Sequence, residues 1–123
     1  MKAFKLINTE NNDCAFEEGS VPEMTHIDAH HFFCATGVEA YQLTAHPAPR
    51  YQFVITLKGR LQFTVTNGDS FIIEPGIVLV AKDTKGEGHT WKILDGNEWH
   101  RIYIVPHADA ADLFTADKTK TGN

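Results

Sequence analysis

Residues 46–59, HPAPRYQFVITLKG, are the stretch that decides the fold. The stretch begins with an imidazole, is stiffened by two prolines, and continues as an apolar run of strand length that ends at Lys58-Gly59. Glycine accepts the positive φ that a tight turn requires, so Lys58-Gly59 predicts a two-residue hairpin connection. The predicted hairpin pairs residues 51–57 with residues 60–66.

The two faces of this hairpin differ in character. Alternate side chains of a strand point to the same side, so His46 and Gln52 are expected to share an enclosed face with Val54, Thr56 and Phe63. The opposite face carries three large apolar side chains in a row, which should not face water. We expect either a second copy of the chain or the N-terminal segment 2–16 to cover Phe53, Ile55 and Leu57.

The rest of the chain consists of short runs separated by turn signals rich in Gly, Pro, Asn and Asp. Further strands are predicted at residues 2–7 as an edge strand, 26–34 with a bulge, 39–44, 70–73, 77–82, 89–94 and 101–105. Residues 14–20 are predicted as a loop. Residues 108–114 predict one or two turns of helix, and residues 115–123 predict a disordered tail. This pattern of short strands is typical of an antiparallel all-β sandwich or barrel.

Composition narrows the class of protein. A chain of 123 residues is one domain by size, and a formal charge of −5 argues against nucleic acid as a partner, because phosphate contacts need a clustered basic surface. There is no apolar run of the ~20 residues that a membrane span needs, and the first residues lack the features of a signal peptide. These features predict a cytoplasmic protein without a membrane partner, in which Cys14 and Cys34 are free thiols.

Two motifs resemble those of a known family of β-barrels. The first family motif is His-x-His followed by Glu and Gly, and its second His and its Glu are replaced here, since the four positions hold His46, Ala48, Gln52 and Gly59. Gly76 opens the strand of the second motif, and residues 86–89, GEGH, supply its Gly-x-x-His. Over about residues 43–106 the chain therefore resembles the cupin superfamily, in particular its small single-domain members.

The resemblance and the strand pattern together predict an all-β, double-stranded β-helix (jelly-roll) barrel with a short C-terminal helical turn. Residues 1–40 would be N-terminal strands and loops packed on the barrel, residues 41–106 the barrel core, and residues 107–123 the short helix and tail. Because small cupins are commonly dimers, the resemblance also implies a homodimer whose partner sheet covers the apolar outer face.

The resemblance further implies a cavity at one mouth of the barrel, which in cupins commonly holds Fe, Mn, Ni or Zn on three histidines and a glutamate. In this chain the corresponding ligand set is His46, Gln52 and His89. A neutral amide in place of the carboxylate weakens such a site, and His89 could equally be a hydrogen-bonded histidine in the cavity wall. Other residues predicted to line a ligand pocket are Arg50, Val54, Thr56, Phe63, Trp91 and His100.

Arg50 has two interpretations, because a guanidinium can hold a carboxylate or phosphate at the cavity mouth or can be a solvated turn residue. Glu74 and Asp83 lie at turns and are interpreted as structural. The adjacent pair His30-His31 would point to opposite sides of a strand, so both side chains can hardly face one site. The roles of these two histidines and of His26 are left open.

Two classes of function follow. The first is a metal-assisted enzyme of dioxygenase, isomerase or lyase type that acts on a small polar organic molecule. The second is a metal-free barrel that binds, or isomerises in the manner of a sugar isomerase or epimerase, a small carboxylate or carbohydrate-like ligand. The replacement of ligands at Ala48 and Gln52 motivates the second class.

Overall fold

In the computed structural model, which describes residues 1–38 and 44–117, the chain is all-β. No helix suited to crossing a membrane is present in these residues. In chain order, their strands are β1 (Lys2–Asn8), β2 (Cys14–Ser20), β3 (Ala29–Ala35), β4 (Gln52–Lys58), β5 (Leu61–Thr64), β6 (Ser70–Ile73), β7 (Val78–Ala81), β8 (Thr90–Ile93), β9 (His100–Pro106) and β10 (Thr115–Ala116).

The described strands form two sheets. Seven strands make a mixed sheet in the order β10-β2-β1-β7-β4-β9-β3, and three make an antiparallel sheet in the order β6-β5-β8. The pair β1 and β7 is parallel. The all-β class is therefore confirmed, and the arrangement is consistent with a β-sandwich. No closed barrel is found among the described strands, and the predicted jelly-roll stays a prediction.

Side chains from both sheets meet in one apolar core. Phe4 of the large sheet stacks on Phe71 of the small sheet, with ring centroids 4.6 Å apart. Withdrawing each large apolar side chain from water stabilises the fold by roughly 1.5–3 kcal/mol. The most completely buried members of this core are Leu6, Leu61, Phe63, Ile73 and Leu79.

The predicted pairing across Lys58-Gly59 is wrong. Strand β4 pairs with β7 and β9, whereas β5 pairs with β6 and β8, so the chain crosses from one sheet to the other at this point. Gly59 has the expected positive φ of 121°, but a positive φ serves a sheet crossing as well as a hairpin. Gln52 and Phe63 are both buried, as the enclosed face requires, and they line one cavity from opposite sheets.

Most of the other predicted strands are present. The Asn67-Gly68 signal does produce a hairpin, since β5 pairs with β6 around it. The register of β3 shifts between Ala29 and His31, which confirms the predicted bulge. The strand predicted at residues 39–44 falls largely outside the described residues.

Two predictions for the N-terminal segment are wrong. Strand β1 is not an edge strand, because it lies between β2 and β7. The predicted loop at residues 14–20 is strand β2, which pairs with β1 over its whole length from Asn8↔Cys14 to Lys2↔Ser20. Tertiary pairing overrides the weak local strand preference of CAFEEGS.

The helix predicted at residues 108–114 does not form. Asp112 instead makes ion pairs of 2.9 Å with both Lys5 and Lys82, and its carboxylate accepts a hydrogen bond from the backbone N–H of Phe114. These contacts hold the segment against the large sheet in a non-helical conformation, with a positive φ of 60° at Leu113, and the next residues form β10 against β2. Part of the predicted disordered tail is therefore a strand.

The outer face of the large sheet is covered in part by the chain itself. Phe53 is buried in a second apolar cluster, against which Val21, Ile27 and Phe114 pack. The cover on this face thus includes a loop after β2 and the C-terminal segment, where the sequence suggested a second copy of the chain or residues 2–16. Leu57 remains 58% exposed, and the predicted homodimer stays a prediction.

Replacing Asp112 by Asn is expected to destabilise the protein by about 1 kcal/mol at neutral pH. Burial raises the pKa of Asp112, but hydrogen bonds from Lys5, Lys82 and the Phe114 N–H outweigh it and hold the pKa at about 2. A pKa below that of the unfolded chain stabilises the fold above about pH 4, and this contribution is lost as the pH falls toward 2. Urea unfolding at neutral pH and near pH 3 checks the expectation. An equal effect of the substitution at both pH values would contradict it.

Candidate functional site

A cavity of about 380 Å³ lies between the two sheets. One part of its wall is aromatic and comes from Phe63, Trp91 and Trp99, which contact one another at ring-centroid distances of 4.9 to 6.5 Å. Its polar lining includes histidine, glutamine, arginine and tyrosine side chains. A mostly apolar cavity with a few converging polar groups is typical of a small-molecule site.

The structure brings the two motif histidines together. His46 and His89 each donate a backbone N–H to the carbonyl of the other, at 3.1 and 3.0 Å, and their ring centroids are 5.1 Å apart. Gly88 permits this approach, because a Cβ atom at that position would lie 2.0 Å from the carbonyl oxygen of His46. The His46 ring is half-buried and its Nδ1 contacts the carbonyl of Thr44 at 2.8 Å.

Gln52 is buried in the cavity wall beside these histidines. Its Oε1 accepts a hydrogen bond of 3.1 Å from Nη1 of Arg50, an exposed residue whose guanidinium lies 5.8 Å from the Phe33 ring centroid. Oε1, the atom that would coordinate a metal ion, therefore already accepts a hydrogen bond from a guanidinium group. Arg50 lines the cavity, as one of its two interpretations requires.

Asp83, interpreted from the sequence as a structural turn residue, is completely buried behind His89. Its Oδ2 lies 2.5 Å from Nδ1 of His89 and accepts a hydrogen bond of 3.3 Å from the thiol of Cys14. Its Oδ1 has no hydrogen-bond partner in the described part of the chain. His89 lines the cavity, whereas Cys14 and Asp83 do not.

Cys14 and Cys34 are free thiols, as predicted. Burial raises the pKa of the Cys14 thiol well above its ordinary value, and the charge and hydrogen bond of Asp83 raise it further. The thiol is therefore protonated at neutral pH and donates to the carboxylate. The ligand atoms of Cys14, Asp83 and His89 all lie within 4.8 Å of one another, so this cluster could hold a metal ion.

Arg101, like Asp83, is a buried residue of this site that the sequence analysis did not identify as a site residue. It is only 3% exposed, and it donates to the hydroxyl of Tyr103 at 2.9 Å and to the carbonyls of Gly37 and Trp99 at 2.8 Å. Its guanidinium lies 4.4 Å from the ring centroid of Trp99. The alternation of Arg101, Tyr103 and Val105 in a predicted strand was the signal for an inward-facing arginine.

The charge balance of the cavity is positive. Arg101 makes no ion pair with a carboxylate in residues 1–38 and 44–117, and its Nη2 makes no protein hydrogen bond there. Within those ranges the cavity wall contains two guanidinium groups, those of Arg50 and Arg101, and no Asp or Glu side chain. Among the described residues the cavity lining is therefore cationic, although the chain as a whole has a net charge of −5.

The remaining predicted pocket residues divide into two groups. Val54, Phe63 and Trp91 line the cavity. Thr56 is buried behind it, where its hydroxyl accepts a hydrogen bond of 3.1 Å from the Trp99 indole, and His100 contacts Glu98 at 3.0 Å away from the cavity lining. The histidines whose roles were left open also lie outside the cavity lining and are exposed, namely His26, His30 and His31.

Comparison of the chain with protein-family models, with curated proteins and with solved structures gives no match. The site therefore has to be interpreted from its own chemistry.

Proposed function

We propose that the cavity binds a small organic carboxylate, which Arg101 and Arg50 hold as an anion. The observation that carries this proposal is the buried guanidinium of Arg101, which faces the cavity without a carboxylate partner in the described residues. A buried charge without a counter-ion is costly, and a ligand anion would remove that cost. Nη2 of Arg101 is the atom left to donate a charge-assisted hydrogen bond to the ligand, because Nε and Nη1 already donate to protein oxygens.

The size and lining of the cavity agree with a small carboxylate. Its volume of about 380 Å³ lies in the range of small-molecule sites. The aromatic side chains of Phe63, Trp91 and Trp99 would pack against the apolar part of the ligand. The charged end would meet Arg101, whose orientation is fixed by three hydrogen bonds to protein oxygens.

His89 extends the proposal to proton transfer. Because Asp83 accepts the proton carried by Nδ1, the neutral imidazole has its unprotonated nitrogen at Nε2. A histidine in a cavity wall with such a carboxylate behind it is suited to act as a general base. Removal of a proton next to a bound carboxylate group, followed by its return to another atom or to the other face of the ligand, would be an isomerase-type reaction, in line with the metal-free class of function.

The test measures binding of a panel of small carboxylates by calorimetry, alongside the matching uncharged amides and neutral sugars. At least one carboxylate is expected to bind the wild-type protein, while its amide does not. Arg101→Met is expected to weaken binding about 100-fold or more, because it removes a buried partner of a charged group. Arg50→Met should weaken binding about tenfold, since that residue is exposed. The matched control is Arg60→Met, which removes an arginine that pairs with Glu74 away from the cavity.

Two results would overturn the proposal. One is equal binding of a carboxylate and its amide, and the other is wild-type affinity in both Arg50→Met and Arg101→Met. Equal or tighter binding of a neutral sugar would favour a carbohydrate-like ligand. Arg50 is exposed, so its variant reports on binding even if Arg101→Met proves unstable.

A metal-assisted enzyme of dioxygenase, isomerase or lyase type is the second candidate. It would carry Fe, Mn, Ni or Zn on His46, Gln52 and His89, and the proximity of the two imidazoles supports it. Anion binding is ranked first because two guanidiniums line the same cavity, and their charge opposes a divalent cation. Stoichiometric metal in the wild-type protein that is lost in His46→Ala would reverse this ranking.

Two further proposals come from the cupin resemblance, together with the strand pattern and the apolar outer face of β4. They are a jelly-roll cupin core at residues 41–106 and a homodimer, and the cytoplasmic location expected from the sequence is a third proposal. The contact between His46 and His89, which joins the two cupin-like motifs, supports the first. The exposed Leu57 on the outer face of β4 supports the second.

A further inference from the structure

We propose that Cys14, Asp83 and His89 form a zinc site behind the cavity wall. The site differs from the ligand set that the cupin motifs imply, since it shares only His89 with that set. It does not depend on carboxylate binding, because neither Cys14 nor Asp83 lines the cavity.

The three side chains are the donor types that zinc prefers. Thiolate sulfur, imidazole nitrogen and carboxylate oxygen bind Zn²⁺ at about 2.0 to 2.3 Å, which in a tetrahedral site places ligand atoms about 3.3 to 3.7 Å apart. The donor atoms of Cys14, Asp83 and His89 already lie within 4.8 Å of one another. Side-chain shifts of up to about 1 Å are enough to bring all three into the first coordination shell.

The unpartnered Oδ1 of Asp83 is the second, independent observation. This carboxylate is 0% exposed, and its Oδ1 has no hydrogen-bond partner in the described residues. Buried acceptors are nearly always satisfied, and an orphaned one calls for a ligand such as an ion. Both Cys14 and His89 contact the other oxygen, Oδ2, so an ion between them would satisfy Oδ1 if the Asp83 carboxylate binds it through both oxygens.

The charges of the cluster also fit a divalent cation. No lysine or arginine in the described ranges makes an ion pair with Asp83. One thiolate and one carboxylate neutralise Zn²⁺, so the occupied site would bury no net charge. On binding, the Cys14 thiol loses its proton to solvent, and the proton on Nδ1 of His89 moves to Nε2, so that one proton leaves per ion bound. Because Nε2 is then protonated, the general-base role proposed for His89 belongs to the zinc-free protein.

The test uses protein made without a polyhistidine tag and freed of metal. Titration with Co²⁺, a spectroscopic probe for zinc sites, is expected to produce a thiolate-to-cobalt charge-transfer band that saturates at one ion per chain, and Zn²⁺ should displace the Co²⁺. Cys14→Ser is expected to abolish the band and to weaken zinc binding at least tenfold. The matched control is Cys34→Ser, because Cys34 is the exposed cysteine outside the cluster.

Three results would overturn the proposal: the absence of a charge-transfer band in the wild-type protein, its persistence in Cys14→Ser, or its loss in Cys34→Ser. A metal that stays bound in Cys14→Ser and is lost in His46→Ala would assign the ion to the cupin-like set. Cadmium NMR of the wild-type protein gives a readout that does not depend on the folding of a variant, since the shift of bound ¹¹³Cd reports whether one thiolate coordinates it. A shift typical of oxygen and nitrogen ligands alone would equally reject the site. None of these results alters the expectation for carboxylates.

Discussion

Gly88→Ala is expected to lower the free energy of unfolding by at least about 4 kcal/mol, whereas Gly96→Ala should lower it by about 1 kcal/mol. The two glycines are a matched pair, since their φ values are 77° and 74°. Any L-residue is strained at this φ, so both substitutions carry the same backbone cost. The difference between the two losses of unfolding free energy therefore reports how much space surrounds each glycine.

The added methyl group has room at Gly96 and none at Gly88. Nothing lies within 4 Å of a Cβ built on Gly96, whereas a Cβ on Gly88 would lie 2.0 Å from the carbonyl oxygen of His46, 2.1 Å from its carbon and 2.3 Å from the nitrogen of Pro47. These are backbone atoms next to a proline, so no side-chain rotation relieves the clash. The strand pair between His46 and His89 has to separate.

Chemical denaturation of the two variants checks this expectation, and carboxylate binding provides a second readout. Gly96→Ala should bind as the wild type does, because the residue lies away from the cavity. Gly88→Ala should lose binding even at temperatures where it remains folded, since it displaces His46 and His89 from the cavity wall. Similar stabilities for the two variants would show that the backbones at His46 and Gly88 are not in close contact.

This glycine illustrates what the sequence could predict and what it could not. The family resemblance implied that His46 and His89 share one cavity, and both residues line the cavity. The sequence shows where the glycines are, but it does not show that a glycine is required at position 88 because the backbone of His46 passes close to it. The same limit explains the error at Gly59, where the local signal predicted a positive φ correctly and the strand pairing wrongly.

For the candidate site, too, the residues that the sequence could predict differ from those that it could not. Residues that follow from local alternation, such as Phe63 and Trp91, were predicted to line a pocket and do line the cavity. Asp83 was not predicted, because it lies in a polar, glycine-rich stretch that by composition belongs on the surface. Its partner Cys14 lies in a segment whose strand pairing with β1 is decided by tertiary structure. Burial of a turn residue depends on such distant segments and leaves no local periodicity.

Asp83→Ala is expected to destabilise the metal-free protein by about 3 kcal/mol, whereas Glu74→Ala should change its stability by less than about 0.5 kcal/mol. Both carboxylates were interpreted from the sequence as structural turn residues. The structure separates them, because Asp83 is fully buried, while the side chain of Glu74 is 45% exposed and pairs with Arg60 at 3.4 Å. Exposed pairs of this kind contribute little.

The loss of stability expected for Asp83→Ala comes from the buried donors that lose their acceptor. Alanine removes the acceptor for both the Nδ1–H of His89 and the thiol of Cys14, so that Nδ1–H loses its partner in a buried place and the thiol keeps only a long contact of 4.0 Å with the carbonyl of Ala15. Asp83→Asn keeps a carbonyl oxygen that can accept one of these hydrogen bonds, so about half the loss is expected. The backbone carbonyl of Asp83, which accepts from the N–H of Ala48 at 3.0 Å, is unchanged in both variants.

Urea unfolding of the three variants in the presence of a chelator checks the order Asp83→Ala, then Asp83→Asn, then Glu74→Ala. If Asp83→Ala were as stable as Glu74→Ala, Asp83 would be an ordinary turn residue, and neither the orientation of His89 nor a buried zinc site could depend on it. If Asp83→Asn were more stable than the wild type, the buried charge itself would be the main cost of the cluster. A carboxylate retained at that cost, without a lysine or arginine partner in the described residues, would then be best explained by a cation that it binds.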